Sequence, residues 1–150
     1  MSLLHVVSAT INLSYNQEYI KKISESGLKI GFIYYNYIWN EGYEAAKLIG
    51  PDEIAERIIN FDENSNIEYY GIFTRYKDTA FKFWINKTDA GLCEITFSDF
   101  INWEVEFVHS GLIPLLRLPT YGLDFARYIN IMLKLCNDFA VIGIMKESIS

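Results

Sequence analysis

"AFKFWINKTDAGLCEITFS", Ala80 to Ser98, is the stretch on which the fold class turns. Phe81, Phe83 and Ile85 alternate with Lys82, Trp84 and Asn86, and then Cys93, Ile95 and Phe97 alternate with Glu94, Thr96 and Ser98. A period of two is that of a pleated strand with one buried face, and Lys87-Thr88-Asp89-Ala90-Gly91 between the two runs is a hairpin-length turn. The pattern extends outward on both sides. "IEYYGIFTRY" from Ile67 and "INWEVEF" from Ile101 read as further strands, reached through turns at Lys77-Asp78 and Ser98-Asp99. Four successive strands with such short connections make an antiparallel meander. Parity places Ile67, Tyr69, Phe73, Phe81, Phe83, Ile85, Cys93, Ile95, Phe97, Trp103, Val105 and Phe107 on the core face. Glu68, Tyr70, Ile72, Lys82, Trp84, Glu94, Thr96, Asn102, Glu104 and Glu106 fall on the other. Carboxylates mixed with aromatic rings suit protein recognition, unless the N-terminal half of the chain covers those rings as a third layer.

The rest of the chain supplies helices and three more strands. "LLHVVSATINLSY" is β-branched and roughly alternating, a strand. "NQEYIKKISESG" then reads as a short helix, with Asn16 as N-cap and Gly27 as its stop. "GFIYYNYIWN", Gly31 to Asn40, is compatible with either period; its aromatic and β-branched content favours a strand, followed by a helix from Asn40 through "NEGYEAAKL". "GPDEIAERIIN" is a helix: Pro51 suits the first turn, Asp52 and Glu53 complement the positive end of the dipole, and Ile54 and Ile58 make an apolar face. Residues from Tyr121 to about Asn137 predict a further helix, with Leu123, Ala126, Ile129, Leu133 and Cys136 as its apolar face, before a short last strand "AVIGIM". The fold class expected is α+β, one domain over residues 1–150, with an antiparallel sheet and helices packed mainly on one face.

Composition narrows what such a domain does. With 51% hydrophobic and 16% aromatic residues the chain is no disordered segment. Cys93 and Cys136 stand in no zinc or CxxC spacing, so free thiols and a reducing, cytoplasmic setting are expected. The opening "MSLLHVVSATINLS" lacks the basic region of a secretory signal, and Arg127, Lys134 and Asp138 interrupt the late apolar segment, so no membrane association is expected. Of the net charge of −6, most lies in one stretch: between Asp52 and Glu68 stand Asp52, Glu53, Glu56, Asp62, Glu63 and Glu68 against Arg57 alone. Direct nucleic-acid binding is disfavoured, because a phosphate backbone needs clustered Lys and Arg. The five rings of Gly31–Asn40, with only Lys29 and Lys47 near them, are expected to serve the core rather than to stack on bases.

Catalytic signals are sparse. His5 sits in an apolar strand as a packed or edge residue, and His109 precedes Ser110-Gly111 in a turn with no partner assignable by spacing. Glu104 and Glu106 could form a carboxylate pair on one strand face, although a solvated strand gives the same pattern. Phosphate loops, dinucleotide fingerprints and metalloprotease motifs are missing, and no catalytic residue, metal or cofactor is expected.

With "FKFWINKTDAGLCEITF" as a hairpin and "DFARYINIMLKLCNDFAVIGI" as a late helix followed by a short strand, the chain resembles bacterial immunity proteins, the antitoxins of contact-dependent growth inhibition and other polymorphic toxin systems. The resemblance is one of overall pattern over about the last 90 residues, without a diagnostic motif. It implies a protein that binds and blocks a cognate toxin domain, commonly a nuclease with a basic cleft, through an acidic surface. Asp62, Glu63 and Glu68, then Tyr70, Trp84, Glu104 and Glu106, are the expected contact residues. The alternative is a ligand-binding or enzymatic domain, with a pocket lined by aromatic residues near Phe32 to Trp39 and the pair Glu104 and Glu106.

Overall fold

The computed structural model describes residues 4–40, 43–61, 71–100, 120–121 and 125–149. In chain order the elements are β1 (Leu4–Ser14), α1 (Gln17–Ile30), β2 (Ile33–Asn40), β3 (Tyr43–Leu48), α2 (Pro51–Ile59), β4 (Ile72–Tyr76), β5 (Thr79–Lys87), β6 (Leu92–Ser98), β7 (Thr120–Tyr121), α3 (Phe125–Leu135) and β8 (Val141–Ile149). Seven strands form one open antiparallel sheet in the order β3-β2-β4-β5-β6-β1-β8, and the two residues of β7 add to β5 in parallel. The fold is α+β, as expected.

The hairpin of the opening stretch holds as read. Phe83 lies opposite Phe97 and Ile85 opposite Ile95. β1 adds Val7 beside Phe97, Ala9 beside Ile95 and Ile11 beside Cys93, and all of these side chains are buried. Tyr128 of α3 meets this face at ring-centroid distances of 5.8 Å from Phe81 and 6.4 Å from Phe97. Ile20 and Ile23 of α1 join the same core, as do Ile54, Ala55 and Ile58 of α2. "INWEVEF" lies outside the described residues.

Four expectations are corrected. β4 has the opposite parity: Ile72 pairs with Phe83 and Thr74 with Phe81, so Ile72 faces the core and Phe73, opposite Lys82, the other side. The cause is the two-residue turn Lys77-Asp78, which makes Tyr76 and Thr79 partners and so matches even positions of β4 to odd positions of β5. The helix expected from Asn40 is strand β3 over Tyr43–Leu48, paired with β2 from Tyr35↔Leu48 to Asn40↔Tyr43. Sheet extension there overrides the helical preference of alanine and leucine.

Gly27 does not end α1. The helix runs on to Ile30 and is closed by Gly31, four positions further, whose φ of 111° is the left-handed C-cap. Gly31 N–H donates to the Leu28 carbonyl at 3.1 Å and Phe32 N–H to the Gly27 carbonyl at 2.8 Å, a Schellman closure. At the other end Asn16 Oδ1 accepts from Tyr19 N–H at 2.9 Å, the N-cap expected. The fourth correction concerns α3, which buries Tyr128, Ile131, Met132 and Leu135, whereas Ala126 and Leu133 are exposed; of the other expected positions Cys136 is buried, Ile129 packs against the core and Leu123 lies outside the described residues. Apolar residues cover most of this helix, so spacing allowed two stripes, and the large Tyr128 ring occupies the sheet.

Candidate functional site

Of the seven expected contact residues, Asp62, Glu63, Glu68, Tyr70, Glu104 and Glu106 lie outside the described residues, as does His109. Trp84 is described, and its expected exposure is corrected: it is 7% exposed and meets Phe61 edge-on, ring centroids 5.3 Å apart. Coverage by the N-terminal half, the other reading of that face, holds for this ring. Phe32, Tyr34 and Tyr35 are likewise buried. Phe32 meets Tyr34, Tyr76, Phe81 and Phe97 at 5.5 to 6.0 Å, so these rings are core and do not line the aromatic pocket of the alternative reading.

The acidic run begins on α2. Ile54, Ala55 and Ile58 turn inward, which leaves Asp52, Glu53 and Glu56 exposed. Lys21 Nζ reaches Asp52 at 2.9 Å, an exposed pair of small energetic weight. Arg57 lies half-buried, its proton affinity lowered by burial. The carboxylates are thus presented outward by the same amphipathic pattern that anchors the helix.

A second polar cluster joins β1, β6 and α3. Asp99 is 7% exposed, and its Oδ2 accepts from the His5 backbone N–H at 2.8 Å and from His5 Nδ1 at 3.0 Å. Tyr128 Oη donates to Oδ1 at 2.6 Å, and Asp99 N–H donates to the His5 carbonyl at 3.2 Å. The Phe125 ring stands edge-on to the imidazole at 4.8 Å. A carboxylate oxygen accepts, so the contact is donated by His5 Nδ1. A His–Asp pair held this way has the orientation of a catalytic dyad. Here, however, the carboxylate's three hydrogen bonds go to two elements of the fold, β1 and α3. We read the cluster as a clasp. His5 is packed, as one reading had it, on a strand interior to the sheet.

A third feature lies where the β4–β5 turn meets the last turns of α1 and α3. Two adjoining concavities, about 530 and 380 Å³, share Tyr76 and Lys134. Their walls include Lys29, Lys77, Arg127 and Lys134, against Asp78 and Asp138. Arg127 Nη1 holds Asp78 Oδ1 at 3.1 Å, which keeps that carboxyl below its ordinary pKa. Lys77 has a left-handed φ of 52°, a conformation that costs an L-residue about 1–2 kcal/mol.

Sequence reasoning did not find Asp99, Tyr128 or the Tyr76 concavity. His5 and Asp99 are 94 positions apart, and no local spacing pairs them. A signal was present for Lys77, because a lysine in a two-residue turn must accept unfavourable backbone angles. Among the described residues no group of three or more His, Cys, Asp or Glu side chains could hold a metal, and no helix is long and apolar enough to cross a membrane. Comparison with protein-family models, curated proteins and solved structures gave no match for this chain.

Proposed function

We propose that the chain is a binding protein of the immunity type, which neutralises a toxin domain, a basic nuclease, by covering its cleft with an acidic surface. The observation that carries the reading is the outward row Asp52, Glu53 and Glu56 on α2, the described beginning of the acidic run that Asp62, Glu63 and Glu68 continue. A nuclease attracts phosphate with positive potential, and an inhibitor with fixed carboxylates competes for that field and is steered into it. The polar groups of the interior support the same view. Ser24 Oγ donates to the Ile20 carbonyl, Thr74 Oγ1 to the Ile72 carbonyl, and Asp99 is engaged in the clasp, so buried polarity serves the fold and recognition falls to the surface.

The test is association with a nuclease domain encoded beside this chain, followed by stopped-flow mixing across ionic strength. Reversing Asp52, Glu53 and Glu56 to Lys, and separately Asp62, Glu63 and Glu68, is expected to slow association by about tenfold or more and to flatten its salt dependence. No complex, or an on-rate indifferent to both reversals and to salt, overturns the proposal.

A further inference from the structure

We propose that the concavity floored by Tyr76 is an anion site that takes a compact multivalent oxyanion, a phosphoryl or polycarboxylate group, between the ammonium groups of Lys77 and Lys134. Lys77 Nζ lies 5.3 Å from the Tyr76 ring centroid and Lys134 Nζ 5.7 Å from it, so two like charges converge on one phenol. Neither forms a salt bridge among the described residues, although the chain carries 19 acidic side chains against 13 basic ones. Asp78 is taken by Arg127, which leaves Lys77 and Lys134 with no other carboxylate on the walls of the smaller concavity among the described residues, while Lys29 and Lys134 face Asp138 in the larger one. Convergent, unneutralised ammonium groups are a receptor for oxyanions, with Ser26, Asn130 and Asn137 on the walls as hydrogen-bonding groups. The concavity that both Lys77 and Lys134 line, about 380 Å³, falls in the range of small-molecule sites and adjoins the larger one of about 530 Å³.

Helix ends alone do not explain the arrangement. Lys29 and Lys134 sit in last turns, where a cation complements the dipole. Lys77 is on no helix and holds a left-handed backbone that Gly or Asn would adopt more easily. Arg127 stands in the first turn of α3, the positive end, where a cation is disfavoured. Two local rules are broken around one cavity, the pattern expected where a site is held against local preference. The site is separate from the acidic row: along α1 the groove residue Lys29 lies eight positions from Lys21, which pairs with Asp52, or roughly 12 Å of helix.

Titration of the full chain with inorganic phosphate, pyrophosphate and citrate, followed by amide chemical shifts at constant ionic strength, tests this. Saturable shifts are expected at Lys29, Tyr76, Lys77 and Lys134. Lys77→Asn and Lys134→Gln are each expected to weaken the preferred anion by about tenfold, while Lys87→Gln, at an exposed position on β5, leaves it unchanged. Lys77→Asn suits the left-handed turn, so its loss of binding cannot be laid to misfolding. Preference for phosphate or pyrophosphate identifies a phosphoryl ligand, and preference for citrate a polycarboxylate. No saturable shift with any of the three, or equal weakening by Lys87→Gln, overturns the assignment, and neither result bears on the acidic surface.

Discussion

Gly27 shows how one position is set by a contact that no local pattern displays. It lies inside α1, where glycine is ordinarily a poor choice, yet a Cβ there would collide with the Tyr34 hydroxyl and come within 2.8 Å of the Phe32 ring. The missing side chain lets the Tyr34 hydroxyl reach the Ser24 carbonyl at 3.0 Å in the interior, where burial drives the phenol's pKa far upward. Gly27→Ala is therefore expected to destabilise by about 1–3 kcal/mol despite alanine's better helix propensity. Tyr34→Phe alone costs about 1 kcal/mol for the lost hydrogen bond. In the double variant the alanine meets no hydroxyl, so its penalty shrinks and the two changes fail to add. Urea unfolding of the four proteins measures the coupling; strict additivity would mean that the contact does not restrict the site. The sequence offered Gly27 only as a helix stop, because a glycine needed for close approach and one needed for a cap look alike until the helix behind it is placed.

At the level of elements, the clasp at Asp99 ties the start of β1 to the end of β6 and the first turn of α3. Asp99→Ala strands the Tyr128 hydroxyl and the His5 donors, and a loss of about 2–4 kcal/mol is expected, because several donors lose one buried acceptor at once. Tyr128→Phe, which leaves the ring in the core and removes one donor, should lose about 1–2 kcal/mol. Equal losses in thermal or urea unfolding would mean that the ring and not the carboxylate network organises the junction. β8 raises the opposite question, since among the described residues it is a sheet edge, with Ile142 61% and Met145 66% exposed. Ile142→Lys is expected to change stability by less than about 0.5 kcal/mol while reducing aggregation on heating, because a charge on an open edge opposes strand addition. Element types were legible wherever one face is buried against a more open one, as in β6 and α2, and in β5 from its alternation alone, although Trp84 on its second face is buried too. They were not legible in 40–48, where the partner strand decides, nor was the parity of β4, although the turn length at Lys77-Asp78 already fixed it. The clasp and the Tyr76 cavity needed contacts across the sheet that spacing does not encode.

Across the described residues the molecule is an aromatic core with buried thiols and a buried phenol, and that makes its stability sensitive to alkali. Burial pushes the thiols of Cys93 and Cys136 from 9.0 up to about 11, and the Tyr34 phenol further above its own ordinary value. In the unfolded chain these groups ionise near their ordinary pKa values, whereas in the fold they keep their protons. Because each folded pKa is raised, the stabilisation is fully present below about pH 9 and is lost as pH rises toward the folded values. A shift of one unit corresponds to about 1.4 kcal/mol, so the two thiols together remove several kcal/mol between pH 9 and 11. The urea midpoint should thus be insensitive to these groups near neutrality and fall steeply in that alkaline window. A Cys93→Ala, Cys136→Ala double variant begins less stable because it leaves cavities, but its decline with pH should be shallower. Native thiols should also resist alkylation at pH 8 and react only on unfolding, since the thiolate is the nucleophile and neither sulfur is exposed. Rapid labelling of the folded chain, or parallel pH profiles for the wild type and the double variant, would mean that the core opens without global unfolding.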